Sequence, residues 1–151
     1  MSGFTTYMDI ALAEARLAAT RGETPVGAVI VNPVNGDILA QNGNRTRELS
    51  DPTAHAEILV IREACRKNGS ERLKGLDLYV TLEPCPMCAM AISAARIGRL
   101  YYGAPDPKSG GIEQGPSIFS HSQCHHKPEI YGGISETESA NLLREFFEVR
   151  R

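Results

Sequence analysis

The sequence predicts one α/β domain in which a mixed five-stranded sheet lies between two layers of helices. Three observations support this three-layer α/β/α class. The length of 151 residues suits a single domain with its own hydrophobic core. Hydrophobic residues make up 42% of the chain and charged residues 23%, close to the average for globular proteins. Helical and strand patterns alternate through the middle of the chain, which is typical of this class.

The first twenty residues predict an amphipathic helix from about residue 3 to residue 20. Apolar positions recur at helical spacing and share one face, which carries Met8, Leu12, Ala15 and Ala19. Charged residues interrupt the stretch, so it differs from the apolar core of a secretion signal. No stretch of the chain is long enough to span a bilayer. We therefore expect a cytoplasmic protein with no membrane partner.

A β-hairpin is predicted next. Residues 26–31 form a short and nearly all-apolar run, which indicates a buried strand. Asn35-Gly36 is a strong signal for a hairpin turn, so residues 37–40 should return as the partner strand. Residues 41–51 are mostly polar and contain Gly43, a composition that predicts a loop.

The second helix is expected to begin at Asp51-Pro52, because aspartate caps helices well and proline is tolerated in the first turn. Asn68-Gly69 should end it. Its apolar face is expected to include Ile58, Ile61 and Cys65.

The second half of the chain predicts three more strands and two more helices. The third helix begins at Pro86, since proline is favoured in the first turn of a helix. A segment rich in proline and glycine, residues 104–116, should form a loop. The predicted strands cover residues 77–82, 99–103 and 129–131, and the predicted helices cover residues 86–96 and the chain from residue 135 to its end.

Global charge gives no support for nucleic-acid binding. The net charge is −2, with 16 basic residues against 18 acidic ones. Any contact with nucleic acid must therefore depend on a local patch. The four cysteines are Cys65, Cys85, Cys88 and Cys124. Without a secretion signal, the close spacing of Cys85 and Cys88 favours a metal site or a redox pair over disulfides.

A metal site is predicted from His55, Cys85 and Cys88. The two cysteines are three residues apart at the start of a predicted helix, so both sulfurs lie on one side of its first turn. His55 falls in the first turn of the preceding predicted helix, where its ring can face the same point. Sulfur and nitrogen ligands suit zinc, and three protein ligands leave one tetrahedral position open for water. Ligand type alone does not exclude iron.

Glu57 is positioned to act on such a water. It follows His55 by two residues, so one side chain can hold the metal while the other reaches past it. A closed structural zinc site or a redox pair is the competing interpretation. A closed site needs a fourth ligand, for which the candidates are Cys65, His121, Cys124, His125 and His126. The pattern H-x-E followed by P-C-x-x-C is the signature of zinc deaminases and favours catalysis.

At these residues the chain resembles the zinc-dependent nucleobase deaminases. The segments that carry the resemblance are residues 24–29 (TPVGAV), 51–57 (DPTAHAE) and 81–89 (TLEPCPMCA). The tail is similar, more specifically, to bacterial tRNA-specific adenosine deaminases, through residues 129–134 (EIYGGI), 142–147 (LLREFF) and the final Arg150-Arg151. The resemblance implies a cytidine-deaminase-like fold, one zinc-dependent deaminase domain over residues 1–151, one Zn²⁺ per subunit and a homodimer.

The resemblance also implies an activity. The enzyme would deaminate adenosine to inosine by hydrolysis, at the wobble position of the anticodon of an arginine tRNA. Glu57 would be the catalytic residue that carries the protons. The target base must be unpaired, as it is in an anticodon stem-loop. Asn44 is expected to bind the nucleoside, Val26 to form a wall of the base pocket and Ala56 to offer a backbone N–H. The other residues expected to contact substrate are Asp106, Lys108, His126, Phe147 and Arg150.

Two other functions remain open at this level. A deaminase of a free base or nucleoside, such as guanine or cytosine, would share every metal-site residue. The phenylalanine- and arginine-containing tail favours RNA over such small substrates. A structural zinc or RNA-binding module without catalysis is the third hypothesis. For the adjacent Phe146 and Phe147, one core residue and one surface residue are expected, because neighbours on a helix point in different directions.

Overall fold

The computed structural model describes residues 6–150, and these residues form four α-helices and five strands. The predicted helix start at Gly3 and the terminal Arg151 lie outside the described residues. The elements in chain order are α1 (Tyr7–Thr20), β1 (Gly27–Val31), β2 (Ile38–Gly43), α2 (Ala56–Asn68), β3 (Asp77–Leu82), α3 (Pro86–Ala94), β4 (Arg99–Ala104), β5 (Glu129–Tyr131) and α4 (Glu136–Val149), with a short 3₁₀ turn at Ile118–Ser120 before β5.

The sheet is mixed, as the sequence predicts. Its strand order is β2-β1-β3-β4-β5. Strand β1 is antiparallel to both of its neighbours, β2 and β3, whereas β3, β4 and β5 run parallel. The carboxyl ends of β3 and β4 therefore meet at one edge of the sheet. The segments that leave this edge carry the two predicted cysteine ligands and the loop that begins at Pro105.

The two faces of the sheet are covered by different helices, which confirms the three-layer arrangement. Ala28 and Ile30 of β1 pack in the core that contains α2 and α3. Val29 and Val31, on the opposite face of the same strand, pack against α1. All five residues of β1 are buried, because successive side chains of a strand point to opposite faces and both faces are covered.

The hairpin is longer than predicted. Strand β2 continues to Gly43, because its backbone pairs with β1 as far as the Gly27–Gly43 register. The polar residues Gln41 and Asn42 are tolerated because β2 is an edge strand whose outward positions meet solvent. The prediction of a loop from residue 41 is therefore wrong for these three residues.

Helix α2 begins at Ala56, later than the predicted Asp51. Asp51 instead forms a local turn, in which its Oδ1 accepts the N–H of Thr53 at 2.8 Å. The buried residues of α2 are Ala56, Glu57, Val60 and Ala64. The predicted face of Ile58, Ile61 and Cys65 is only partly buried. Gly69 ends the helix in the left-handed conformation (φ 69°), as predicted.

Candidate active site

Two helix N-termini converge at the carboxyl edge of the sheet. His55 is the N-cap residue of α2 and Cys85 is the N-cap residue of α3. Neither side chain makes a capping hydrogen bond, so both are free to bind a ligand. Helix α3 starts at Pro86, one residue after Cys85. Proline is tolerated there because the N–H that it lacks would have no helical partner in the first turn. The sequence placed His55 inside the first turn of its helix; it lies just before that turn.

The three predicted metal ligands lie together. The Nδ1 atom of His55 is 3.7 Å from the Cys85 Sγ and 3.5 Å from the Cys88 Sγ. In a tetrahedral zinc site, Zn–S distances of about 2.3 Å and Zn–N distances of about 2.0–2.1 Å separate nitrogen from sulfur by about 3.6 Å. The donor set and its spacing therefore fit zinc.

No fourth ligand completes the group within residues 6–150. The candidate Cys124 instead donates to the Ser93 hydroxyl and to the His126 carbonyl, both at 3.3 Å. A ring nitrogen of His121 lies 2.7 Å from the Pro116 carbonyl oxygen. A closed structural zinc site is therefore not supported by the part of the chain that the structure describes.

Hydrogen bonds and the charge of His55 favour a thiolate at Cys85. A hydrogen bond from Cys88, a hydrogen bond with His55 and the nearby charge of His55 lower the pKa of Cys85 to about 4, although burial opposes the shift. The same hydrogen bond raises the pKa of the donor Cys88, as does its burial. The hydrogen bond with Cys85 raises the pKa of His55. Thiolates are the form that binds metal.

Glu57 lies in the first turn of α2 with only 3% of its surface exposed. Burial raises the pKa of this carboxyl to about 7, and attraction to the charge of His55 opposes the shift. A carboxyl that gains and loses a proton near neutral pH is suited to general acid–base catalysis.

A cavity of about 240 Å³ joins these groups. This volume is below the roughly 300–1,000 Å³ of pockets for drug-sized ligands, so it suits a group about the size of one nucleobase. Its walls are formed by Thr24, Val26, Asn44, Thr46, His55, Glu57, Leu82, Glu83, Cys85, Asp106 and Ser109. A groove of about 640 Å³ between β2 and α2 is larger, but it contains none of the metal ligands.

Known proteins share this site and this fold. Residues 1–104 match the family model for the zinc-binding region of cytidine and deoxycytidylate deaminases. The chain is 59% identical over 151 residues to the tRNA-specific adenosine deaminase of Agrobacterium fabrum, a match that covers 100% of this chain and 98% of the relative. The chain belongs to the tRNA-specific adenosine deaminase family.

Further members of the family extend the likeness. The tRNA-specific adenosine deaminase of Rickettsia typhi is 47% identical over 144 residues, covering 95% of this chain and 97% of the relative. A solved structure from studies of A-to-I editing by tRNA deaminases at the wobble position superposes with a TM-score of 0.88. It is 60% identical and covers 91% of this chain and 98% of that chain. The predicted family and the cytidine-deaminase-like fold are confirmed.

Asn44 lines this cavity, and a backbone hydrogen bond holds its side chain in place. Its Oδ1 accepts the N–H of Ala56 at 2.8 Å. This contact fixes the orientation of the amide, because an oxygen must face that donor, and leaves the NH₂ group for another partner. It also engages the Ala56 N–H, which argues against the predicted use of that N–H for substrate.

Asp106 and Lys108 lie in the loop after β4, beside the same cavity. The Oδ1 atom of Asp106 accepts the N–H groups of Lys108 and Ser109, at 3.1 and 3.0 Å. A neighbouring cavity of about 520 Å³ is lined in part by Asp106, Lys108 and Phe147. Phe147 is 51% exposed, whereas Phe146 is buried, so one core and one surface phenylalanine are present as predicted. Contact of these residues with RNA stays a prediction.

The two remaining residues predicted to contact RNA, His126 and Arg150, do not line the cavity. His126 is partly buried, and its Nε2 lies 2.7 Å from the Ile97 carbonyl oxygen. Ile97 follows the C-terminus of α3, about 13 Å along the helix from the Cys85 end, so His126 lies away from the cavity, and its contact with RNA stays a prediction. The Arg150 guanidinium carbon lies 3.6 Å from the ring centroid of Phe146 at the end of α4.

The sequence did not assign a role to two buried glutamates. Glu83 accepts four backbone hydrogen bonds from the loop after β4. Glu23 accepts hydrogen bonds from residues 46–48 in the loop after β2. Glu83 directly precedes Pro84 and Glu23 lies two residues before Pro25, but no local sequence pattern marks either glutamate as the anchor of a distant loop.

Proposed function

We propose that the protein is a zinc-dependent hydrolase that converts adenosine to inosine at position 34, the wobble position of the anticodon, in an arginine tRNA. The proposal treats residues 1–151 as a single deaminase domain. The observation that carries the proposal is the three-ligand group of His55, Cys85 and Cys88 with the buried Glu57 in a cavity of nucleobase size. The Agrobacterium relative, named a tRNA-specific adenosine deaminase, supports it at 59% identity. The related solved structure comes from a study of this wobble editing.

His55, Cys85 and Cys88 would hold one zinc ion per subunit, and the ion would supply a water whose pKa is lowered toward about 7. Glu57 accepts a proton from water and delivers it to N1 of adenine, which makes C6 electrophilic. The water oxygen bonds to C6, Glu57 takes the second proton from that oxygen and transfers it to the amine, and the C6–N bond breaks. Adenosine and water become inosine and ammonia.

The cavity walls orient the base. The NH₂ group of Asn44 is oriented by its contact with Ala56 and offers a hydrogen-bond donor to a ring nitrogen. The apolar side chains of Val26 and Leu82 line the same cavity and provide a surface for a flat base. A cavity of this size excludes a base pair, so the target must be an unpaired anticodon nucleotide.

The surface around the cavity supports a single-stranded substrate. Phe147 exposes its ring beside Lys108, so a base splayed from the loop can stack on the ring while the ammonium group meets a phosphate. We assign Arg150 a second phosphate contact, since it is the C-cap residue of the helix that carries Phe147. Because the substrate is tRNA, we expect the protein to act in the cytoplasm.

We also propose that the protein is a homodimer. Met87 and Met90 of α3 are exposed although both are large and apolar. They lie on the helix that borders an apolar cavity of about 400 Å³, whose lining includes Ile58, Ile61, Cys65, Ala91 and Ala94. A contiguous apolar surface of this kind is more stable when a second copy covers it. None of the described helices combines the length and the apolar character needed to cross a bilayer.

The proposal is tested by offering the purified protein an arginine-tRNA anticodon stem-loop with adenosine at the wobble position. Parallel reactions contain free adenosine, cytidine or guanine, and released ammonia and the digested nucleosides are quantified. We expect ammonia and inosine from the stem-loop alone. Ammonia from a free base or nucleoside alone would support the small-molecule deaminase instead. Full zinc occupancy with no ammonia from any substrate would support a non-catalytic module.

A further inference from the structure

Glu83 lies between the metal ligands and the loop that faces the cavity, with 2% of its surface exposed. Its Oε1 accepts the N–H of Asp106 at 2.9 Å. Its Oε2 accepts three consecutive N–H groups, of Ile112, Glu113 and Gln114, at 3.1, 2.8 and 3.0 Å. No Lys or Arg within residues 6–150 forms a salt bridge with it, so these four backbone N–H groups are its hydrogen-bond partners in the described part of the chain.

The loop of residues 106–114 is packed directly onto the turn that carries Cys85. The Gly111 N–H donates to the Pro84 carbonyl at 2.8 Å. A side chain at Gly111 would place its Cβ 2.6 Å from the backbone nitrogen of Pro86, and one at Gly110 would place its Cβ 2.7 Å from the carboxyl carbon of Glu83. Both glycines are therefore needed for this close approach.

We propose that Glu83 is a positioning residue of the site, whose carboxylate fixes the 106–114 loop against the metal-ligand turn so that Asp106 and Ser109 face the substrate. The inference rests on the proposed function, because these two residues line the cavity assigned to the target base. Glu83 itself donates nothing to substrate. It acts through the backbone of Asp106 and through the three N–H groups that hold the far end of the loop.

The geometry requires a carboxylate and not an amide. Four N–H donors converge on the two oxygens, and a glutamine side chain offers only one oxygen. When that oxygen serves residues 112–114, the NH₂ group faces the N–H of Asp106 and cannot accept it. Glu83→Gln should therefore release the start of the loop and leave its far end attached. Since the metal ligands do not contact the carboxylate through any described hydrogen bond, zinc binding should persist.

The test compares wild type, Glu83→Gln and a matched control, Glu138→Gln, whose glutamate is exposed. Zinc content, thermal melting, amide hydrogen exchange, and kcat and KM on the anticodon stem-loop are measured. We expect Glu83→Gln to keep zinc, to exchange its Asp106 amide faster, and to raise KM about tenfold or more with kcat within about threefold. Such a split indicates lost binding with intact chemistry. The control should match wild type.

Two outcomes would overturn the inference. One is a folded, zinc-loaded Glu83→Gln with wild-type KM and wild-type exchange at Asp106. The other is a lower melting temperature with an unchanged KM, which would mark Glu83 as a purely structural residue. If Glu83→Gln does not fold, Gly110→Ala tests the same contact without changing charge and should raise KM in the same way.

Hydrogen exchange in the wild type separates this inference from the proposed function. The amides of Asp106, Ile112, Glu113 and Gln114 should exchange slowly although none lies in a helix or strand. If the stem-loop is not deaminated but these amides are protected and Glu83→Gln exposes Asp106, the proposed function fails and the positioning of the loop stands. If the four amides exchange at the rate of a free loop, the positioning role fails whatever the activity.

Discussion

Two buried glutamates of the same cavity have different chemistry because their surroundings differ. Glu83 accepts hydrogen bonds from four backbone N–H groups. Glu57 is buried, and that burial raises its pKa to about 7. A carboxyl whose two oxygens are occupied by four fixed donors anchors a loop, whereas a carboxyl with a pKa near neutrality can carry protons. The roles of proton carrier and anchor therefore follow from environment and not from residue type.

Glu57→Gln tests the proton carrier. The amide cannot exchange protons, so we expect a fall in kcat of about a hundredfold to ten-thousandfold. Zinc content should stay at the wild-type level because Glu57 is not among the three grouped ligands. Ammonia release and metal analysis are measured on the same preparation. A zinc-loaded variant that still turns over at the wild-type rate would remove Glu57 from the mechanism.

Glu23 makes stability depend on pH in a defined direction. Burial acts to raise the pKa of its carboxyl, but hydrogen bonds from residues 46–48 and the charge of Arg21 outweigh burial and hold the pKa below the ordinary value of 4.5. A depressed pKa means that the stabilisation is present above pH about 4.5 and is lost as pH falls through the folded value. The unfolding free energy of wild type should fall more steeply below pH about 5 than that of Glu23→Gln. Parallel curves from urea unfolding would contradict this.

At the scale of elements, the close approach of α1 to β1 depends on a glycine. A side chain at Gly27 would place its Cβ 2.0 Å from the Ala11 carbonyl oxygen and 2.5 Å from the Ala15 nitrogen, both in the backbone of α1. The Gly27 N–H also donates to the buried Thr81 hydroxyl at 3.1 Å. Because these neighbours are backbone atoms, they cannot rotate away.

Gly27→Ala should therefore destabilise the protein by about 3 kcal/mol, through displacement of α1 from the sheet. Gly98→Ala is the matched control, since its nearest neighbour would lie 3.4 Å from the new Cβ. We expect the control to cost less than about 1 kcal/mol. Denaturant unfolding of both variants gives the comparison, and equal losses would contradict the close-contact explanation.

At the scale of the whole molecule, the same two helices, α2 and α3, carry the predicted metal ligands at their N-termini and form the apolar surface proposed as the dimer interface. Helix α3 begins at the metal-ligand turn and carries the exposed Met87 and Met90. Helix α2 begins beside His55 and contributes Ile58 and Ile61 to the apolar cavity. A second copy bound to this surface would therefore lie against the helices that hold the metal ligands, which connects dimerisation to the geometry of the site.

Met90→Glu should shift the protein from dimer to monomer, because a charge would replace an apolar side chain in the proposed interface. Val34→Glu is the control, since Val34 is 93% exposed in the turn between β1 and β2. Light scattering should give twice the mass of one chain for wild type and for the control. A monomeric wild type, or a dimeric Met90→Glu, would contradict the assigned interface.

The sequence by itself determined the fold class, the presence of five strands and the grouping of His55, Cys85 and Cys88. These features depend on spacing along the chain: cysteines three residues apart share one side of a helical turn, and an all-apolar run marks a strand covered on both faces. The start of α2 was predicted wrongly because Asp51 has the same preference for a local turn as for a helix cap.

Only the tertiary structure decided which groups meet across the chain. The hydrogen bonds of Glu83 join residues 23 to 31 positions apart, and the contact between Asn44 and Ala56 spans 12 positions. No local pattern encodes these pairs, because the folded backbone brings them together after the strands have paired. The same reason explains His126, whose ring faces the Ile97 carbonyl and not the cavity. Residue type fixed what each group can donate or accept, and the packing of the sheet and helices fixed its partner.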